Sequence, residues 1–154
     1  MPDLPPSYVE RLSPPVGLWV AVWVGALALG ISFYAALGPL AGLAALLVPA
    51  LLLSTVLSRS TAVVAVDGGD LLAGPARIPV SALGPARALT PDESRRRRGP
   101  ESDPAGYHLI RGWVPAGVLA DVVDPVDPTP YWFVASRRPG ELAAAIEAAR
   151  DARV

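Results

Sequence analysis

The sequence contains no cysteine, no lysine and a single histidine, His108. The absence of cysteine excludes disulfide bonds, thiolate zinc sites and cysteine nucleophiles. One imidazole cannot build a metal or catalytic site that needs several histidines. All 13 basic residues are arginines, and 14 acidic residues balance them, so the charge does not point to nucleic-acid binding. We therefore expect no nucleic-acid partner, no cofactor, no metal ion and no catalytic residues.

Charged residues are also absent from a long continuous stretch, because residues 13–58 contain no Asp, Glu, Lys, Arg or His. As helices, residues 15–37 would extend about 34 Å and residues 40–58 about 28 Å, and a bilayer core is about 30 Å thick. The Gly38-Pro39 dipeptide between them is typical of a turn. These observations predict a transmembrane α-helical hairpin over residues 15–58, preceded by a short N-terminal segment, residues 1–14.

The arginines around the predicted hairpin indicate its orientation. Arg11 precedes the first span and Arg59 follows the second, whereas the turn between the spans has no arginine. Because basic residues favour the cytoplasmic side, we expect a multi-pass plasma (inner) membrane protein with both termini in the cytoplasm. Two small-residue patterns, Ala21-x-x-x-Gly25 and Ala26-x-x-x-Gly30, would permit close helix contact.

Residues 59–154 have the composition of one small cytoplasmic domain. Short β-branched and apolar runs separated by Gly and Pro turns predict several antiparallel strands, and residues 139–150 predict a helix that buries Leu142 and Ile146. This order indicates an α+β, mainly β domain, a pleckstrin-homology-like (PH-like) antiparallel barrel with one C-terminal helix. Residues 90–106 carry equal numbers of acidic and basic side chains together with Pro and Gly, which is typical of a flexible loop.

Four arginines and four residues of a proline-rich stretch form the candidate binding surface. The arginines could bind an anionic headgroup or an acidic peptide, or could form ordinary surface ion pairs. The aspartates, with Asp121, could hold Ca²⁺ or could simply cap a turn. The two aromatic residues are adjacent on a strand, so one is expected in the core and the other at the membrane or a partner. The candidates are Arg77, Arg111, Asp124, Asp127, Tyr131, Trp132, Arg137 and Arg138.

Several stretches of the chain carry a family resemblance. They are Tyr8-Val-Glu-Arg-Leu12, Val66-Asp-Gly-Gly-Asp-Leu71 continuing to Ala76-Arg-Ile-Pro-Val80, Asp124-Pro-Val-Asp-Pro-Thr-Pro-Tyr-Trp132, and Ser136-Arg-Arg-Pro139. With them the sequence resembles the actinobacterial DUF3093 family of membrane proteins over nearly its whole length, and Arg95–Arg98 resembles a variable insertion. The resemblance implies an actinobacterial inner-membrane protein and no particular activity.

The function expected from these features is that of a membrane-anchored, non-enzymatic interaction module. It would bind a membrane-protein partner, or a second copy of itself, or support a membrane complex at the cytoplasmic face. One alternative is a module that binds or senses anionic lipid through its arginines. Another is a membrane enzyme or transport subunit, for which Asp124, Asp127 and His108 would be the acid–base groups.

Overall fold

The fold consists of two compact units, one of which is inserted into the sequence of the other. A computed structural model describes residues 7–152. One unit is the helical segment Ser13–Thr61, and the other combines the chain up to Leu12 with the chain from Ala62 onward. Residues 7–12 are therefore a structural part of the domain that follows the hairpin.

The helical unit is a hairpin of two long apolar helices. Helix α1 spans Val16–Leu37 and helix α2 spans Pro39–Arg59. Gly38 joins them with φ +91°, a conformation that glycine adopts without the penalty of a Cβ atom. Both helices are long and apolar enough to cross a membrane. The predicted helices and turn are confirmed, and α2 continues through Pro49.

The two helices approach each other closely at Gly30 and Gly42. A Cβ atom on Gly42 would lie 2.6 Å from the Cβ of Tyr34, and one on Gly30 would lie 2.8 Å from the Cβ of Leu46. In contrast, nothing lies within 4 Å of a Cβ built on Gly25. The second small-residue pattern is therefore at the helix contact, and the first is not.

The first sheet of the other unit contains strands β1 to β4 in sequence order, all antiparallel. Strand β1 pairs with β2 from Tyr8 opposite Val66 to Leu12 opposite Ala62, so the chain enters and leaves the hairpin from adjacent positions of one ladder. The strands are β1 (Tyr8–Leu12), β2 (Ala62–Asp67), β3 (Asp70–Ala73) and β4 (Ala76–Pro79).

The second sheet has the order β5-β7-β8-β6, and β6 runs parallel to β8. Helix α3 (Pro91–Arg98) follows β5, and helix α4 (Pro139–Asp151) follows β8. Leu142 and Ile146 of α4 are buried in the main core, which confirms the predicted apolar face. The strands are β5 (Arg87–Leu89), β6 (Tyr107–Leu109), β7 (Gly117–Asp121) and β8 (Tyr131–Ala135).

Two expectations differ from the structure. The strands that the structure describes within residues 7–152 form two open sheets instead of one closed antiparallel barrel. The chain leaves β4 through a 3₁₀ turn, and only an isolated bridge between Leu83 and Val122 follows before β5. Residues 90–106 were expected to be a loop, but α3 forms there because Thr90 and Glu93 make a reciprocal capping box at its N-terminus.

Candidate functional site

A buried carboxylate lies on the core-facing side of β1. Tyr8, Glu10 and Leu12 alternate with exposed Val9 and Arg11, as expected for a strand with one covered face. Glu10 is only 6% exposed, although a charged side chain is almost never buried without partners. The position of Glu10 therefore requires hydrogen-bond donors from elsewhere in the domain.

The segment between β8 and α4 supplies most of these donors. Ser136 donates from its Oγ to Glu10 Oε2 at 2.6 Å, and the backbone N–H of Arg137 donates to Oε1 at 2.9 Å. The hydroxyl of Tyr8 also donates to Oε2, at 2.7 Å. Both oxygens of the carboxylate are thus satisfied, which is the condition for burying a charge at a tolerable cost.

The same segment is the N-terminus of α4. The backbone N–H of Arg138 donates to Ser136 Oγ at 3.0 Å, and Pro139 begins the helix. A helix N-terminus carries partial positive charge and favours an anion. Glu10 therefore acts as a built-in anion beside the start of α4, contributed by a strand that precedes the helical hairpin.

Arg138 covers this cluster from the outside. Its guanidinium lies 5.3 Å from the centre of the Tyr8 ring, and its Nη1 is 2.9 Å from Oε2 of Glu141. Burial, more than the neighbouring carboxylate of Glu10, raises the pKa of Tyr8 to about 12. The Tyr8 hydroxyl consequently remains protonated and available as a donor throughout the physiological pH range.

We call the group formed by Tyr8, Glu10, Ser136, Arg137 and Arg138 the Glu10 clasp. The hydroxyl and carboxylate groups bond to one another, and Ser136 is 0% exposed, so a substrate has no access to its Oγ. The direct bond from Ser136 to a carboxylate also leaves the hydroxyl without a neighbouring imidazole of the kind that activates a nucleophile. The clasp is suited to fastening β1 to the β8–α4 junction.

The other charged candidates lie apart from the clasp. Arg77 on β4 forms an ion pair with Asp70, and Arg111, which follows β6, donates to the carbonyl of Ile110 at 2.8 Å. Asp124 and Asp127 accept from the backbone N–H groups of the residues two positions later, at 3.0 Å and 2.9 Å. Of the eight candidates, Arg137 and Arg138 belong to the Glu10 clasp.

The aspartates act as turn residues. Hydrogen bonds from the backbone and side chain of Thr129 lower the pKa of Asp127 below its usual range. Within residues 7–152, Asp121, Asp124 and Asp127 do not form a group that could hold a metal ion. This arrangement corresponds to the turn-capping interpretation of the three aspartates.

Tyr131 and Trp132 are both buried, each 6% exposed, so the expectation that one of them faces a membrane or a partner is wrong. Trp132 stacks on Tyr107 with ring centres 4.1 Å apart, and the Tyr131 hydroxyl accepts the backbone N–H of Asp103 at 2.8 Å. Strand β8 lies between β7 and β6, and all five of its residues are buried. A strand covered on both faces does not show the alternation on which the expectation depended.

A family model described as a protein of unknown function, DUF3093, matches residues 7–146. The chain belongs to the DUF3093 family. No curated protein and no solved structure matches it. The DUF3093 match extends from Ser7, next to β1, to Ile146 in α4, so it includes both sides of the Glu10 clasp.

The sequence contains a pattern that indicates the Glu10 clasp, although Glu10 is not among the candidate residues. In the Tyr8-Val-Glu-Arg-Leu12 stretch, strand periodicity places Glu10 on the same face as Tyr8 and Leu12. A carboxylate on the apolar face of a strand predicts a buried partner. The identity of that partner, Ser136, could not be inferred because it lies 126 residues away in the sequence.

Proposed function

We propose that this DUF3093 protein is a membrane-anchored, non-enzymatic module whose domain binds a protein partner at the cytoplasmic face of the plasma membrane of an actinobacterium. The observation that carries the proposal is the pairing of Leu12 with Ala62. This pairing makes the hairpin an insertion into a folded domain, attached to it at both ends. An anchor of this kind would keep the domain at the membrane surface.

Membrane insertion is supported by the surface of the hairpin. Large apolar side chains are exposed along both helices, and Val16 and Leu40 are 78% and 84% exposed. A soluble protein rarely leaves so long an apolar surface uncovered. Lipid acyl chains would cover this apolar surface, and both helices are long enough to span a bilayer.

The orientation follows from charge and connectivity together. Since Leu12 pairs with Ala62, the residues before α1 and after α2 must be on the same side of any membrane that the hairpin crosses. Arg11 and Arg59 are on that side, and the Gly38 turn is on the other. The positive-inside rule then favours the cytoplasm for the domain and both termini.

A rigid turn between β7 and β8 is the part of the candidate surface best suited to a partner. Val126 is 87% exposed there, flanked by the two aspartates that cap backbone N–H groups and by three prolines. A loop that is already ordered loses little conformational entropy on binding.

The non-enzymatic part of the proposal depends on the Glu10 clasp. Its Ser136 hydroxyl and Glu10 carboxylate are buried and bond to each other.

Single cysteines offer a direct test because the native chain has none. Leu40→Cys lies beside the turn of the hairpin, and Val126→Cys lies on the domain. In intact cells, a membrane-impermeant maleimide should label Leu40→Cys but not Val126→Cys, and in inverted membrane vesicles the pattern should reverse. The same labelling at both positions in intact cells would contradict the proposed topology.

Partner binding is tested in native membranes with a photoactivatable cross-linker attached to the introduced cysteine. Val126→Cys should yield a cross-linked product of one defined mass, whereas Ser102→Cys, at another exposed position, should not. The absence of a defined product at Val126, or identical products at both positions, would argue against a partner at this turn. Mass spectrometry of the product would identify the partner.

A further inference from the structure

The first sheet has an outward face that its own domain leaves partly exposed. Because Tyr8, Glu10 and Leu12 point into the core, Val9 and Arg11 point outward. Val9 is 45% exposed, and Val63, which lies opposite Arg11, is 42% exposed. We call the surface formed by Val9, Arg11, Val63, Leu72 and Arg77 the outer face.

On the outer face, apolar side chains and arginines lie in register, and the same face carries Asp67 and Asp70 at the end away from the helices. One row across the sheet runs from Val9 through Ala65 and Leu72 to Arg77, and the next contains Arg11 and Val63. The side chain of Arg77 is 68% exposed even though it forms an ion pair with Asp70. Small apolar groups beside arginines are the composition of a surface that rests at the boundary between lipid headgroups and acyl chains.

The charges along the first two strands are also asymmetric. Arg11 lies at the end of the ladder that leads into the helices, whereas Asp67 ends β2 and Asp70 begins β3 at the opposite end. An anionic membrane would attract the first end and repel the second. The asymmetry therefore fits a sheet whose helix-proximal end faces the lipid.

The chain segments between this end of the sheet and the two helices are short. Three residues separate β1 from α1, and two residues separate α2 from β2. At no more than about 3.6 Å per residue, the chain from the end of α2 to Val63 can extend about 14 Å at most. The headgroup region on each side of a bilayer is several ångströms thick, so the outer face can reach it.

We propose that the outer face docks on anionic lipid headgroups, with Arg11 contacting the phosphates and Val9 and Val63 lying at the level of the glycerol backbone. This inference depends on the proposed membrane insertion and adds a second, peripheral contact to it. Docking would fix the orientation of the domain on the membrane and would depend on the lipid composition.

The experiment uses the full chain in lipid nanodiscs with a bimane fluorophore on one introduced cysteine. Val63→Cys reports on the outer face, and Val126→Cys is a matched valine far along the chain in an exposed turn. Lipids carrying a nitroxide on the headgroup quench a nearby fluorophore. Nanodiscs of phosphatidylglycerol are compared with nanodiscs of phosphatidylcholine.

Val63→Cys should be quenched much more strongly than Val126→Cys in phosphatidylglycerol, and less in phosphatidylcholine. Arg11→Gln should reduce the ratio of docked to undocked protein about fivefold, the effect of one arginine near an anionic surface. Equal quenching at the two positions, or equal quenching in the two lipids, would overturn the inference. Protection of Val63→Cys from labelling in native membranes without quenching in nanodiscs would assign the face to a protein partner and would also overturn it.

A third label separates this inference from the proposed function. Val24→Cys lies within α1 and should be quenched by lipids that carry the nitroxide on the acyl chain. If Val24→Cys is quenched and Val63→Cys is not, the membrane anchor is retained and lipid docking is rejected. If Val24→Cys is not quenched, membrane insertion itself fails, and lipid docking fails with it.

Discussion

Replacement of Glu10 should destabilise the domain more than replacement of any exposed carboxylate. In Glu10→Ala, three donors lose their acceptor: the Ser136 and Tyr8 hydroxyls and the backbone N–H of Arg137. The two hydroxyls are 3.3 Å apart and can bond to each other, so one buried hydroxyl hydrogen and the part-buried N–H of Arg137 lose the carboxylate as acceptor. At about 1–3 kcal/mol for each such group, we expect a loss of about 3 kcal/mol in the free energy of unfolding.

Glu10→Gln should have a smaller effect, about 1–2 kcal/mol. The amide oxygen can still accept the Arg137 N–H, and the two hydroxyls can rotate to accept from the amide nitrogen. What is lost is the additional strength of bonds to a charged acceptor and the favourable charge at the start of α4. The order of stability should therefore be native, then Gln, then Ala.

The assay is urea unfolding of the full chain in mild detergent, followed by tryptophan fluorescence. Trp19→Phe and Trp23→Phe in α1 limit the signal to Trp113 and Trp132 of the domain. Glu141→Gln serves as the control, because its ion pair with Arg138 is solvent-exposed and should contribute little. If both Glu10 variants unfold within about 0.5 kcal/mol of this control, the clasp does not stabilise the domain and the reasoning is refuted.

Three further predictions concern other parts of the molecule. Because the pKa of Tyr8 is about 12 in the folded domain against 10.0 as its ordinary value, the unfolded state loses this proton first. The free energy of unfolding should therefore fall as the pH rises from about 10 to about 12, and Tyr8→Phe should show a shallower fall in pH-dependent urea unfolding. Gly42→Ala should weaken the helix pair by about 1–3 kcal/mol in detergent thermal melts, whereas Gly25→Ala should be neutral, and equal melting temperatures would contradict the close contact. The Arg98 guanidinium donates to the carbonyls of three residues, so Arg98→Lys should accelerate amide exchange in α3, and Arg95→Lys, at an exposed position, should leave the exchange rate unchanged.

The hairpin was the most predictable part of the fold, because its signals are local. Residues 13–58 contain no Asp, Glu, Lys, Arg or His, and Gly38-Pro39 marks the turn. The two helices can therefore be predicted from composition and length alone. The C-terminal helix was equally accessible, since Leu142 and Ile146 are one helical turn apart. In each case the deciding residues are neighbours in the sequence.

The sheets and the clasp could not be derived in the same way. The pairing of β6 with β8 is parallel and depends on how the chain crosses the sheet, which no short pattern encodes. The burial of Tyr131 depends on residues around Asp103, where composition suggested a loop. Helix α3, in contrast, could have been predicted from the sequence, because Thr90 and Glu93 have the spacing of a capping box. The balanced charges of this stretch favoured the loop interpretation instead.

The pairing of β1 with β2 has a consequence for the order of biosynthesis. Strand β1 leaves the ribosome before the helices, and its partner strand follows only after both helices have been made. The hydrogen bond between Glu10 and Ser136 can form only after a further 126 residues have been synthesised. In the membrane arrangement proposed above, a chain that inserted only one of its two helices would have β1 and β2 on opposite sides of the bilayer, and the two strands could not pair. The β1–β2 pairing would therefore require that α1 and α2 cross the bilayer as a pair.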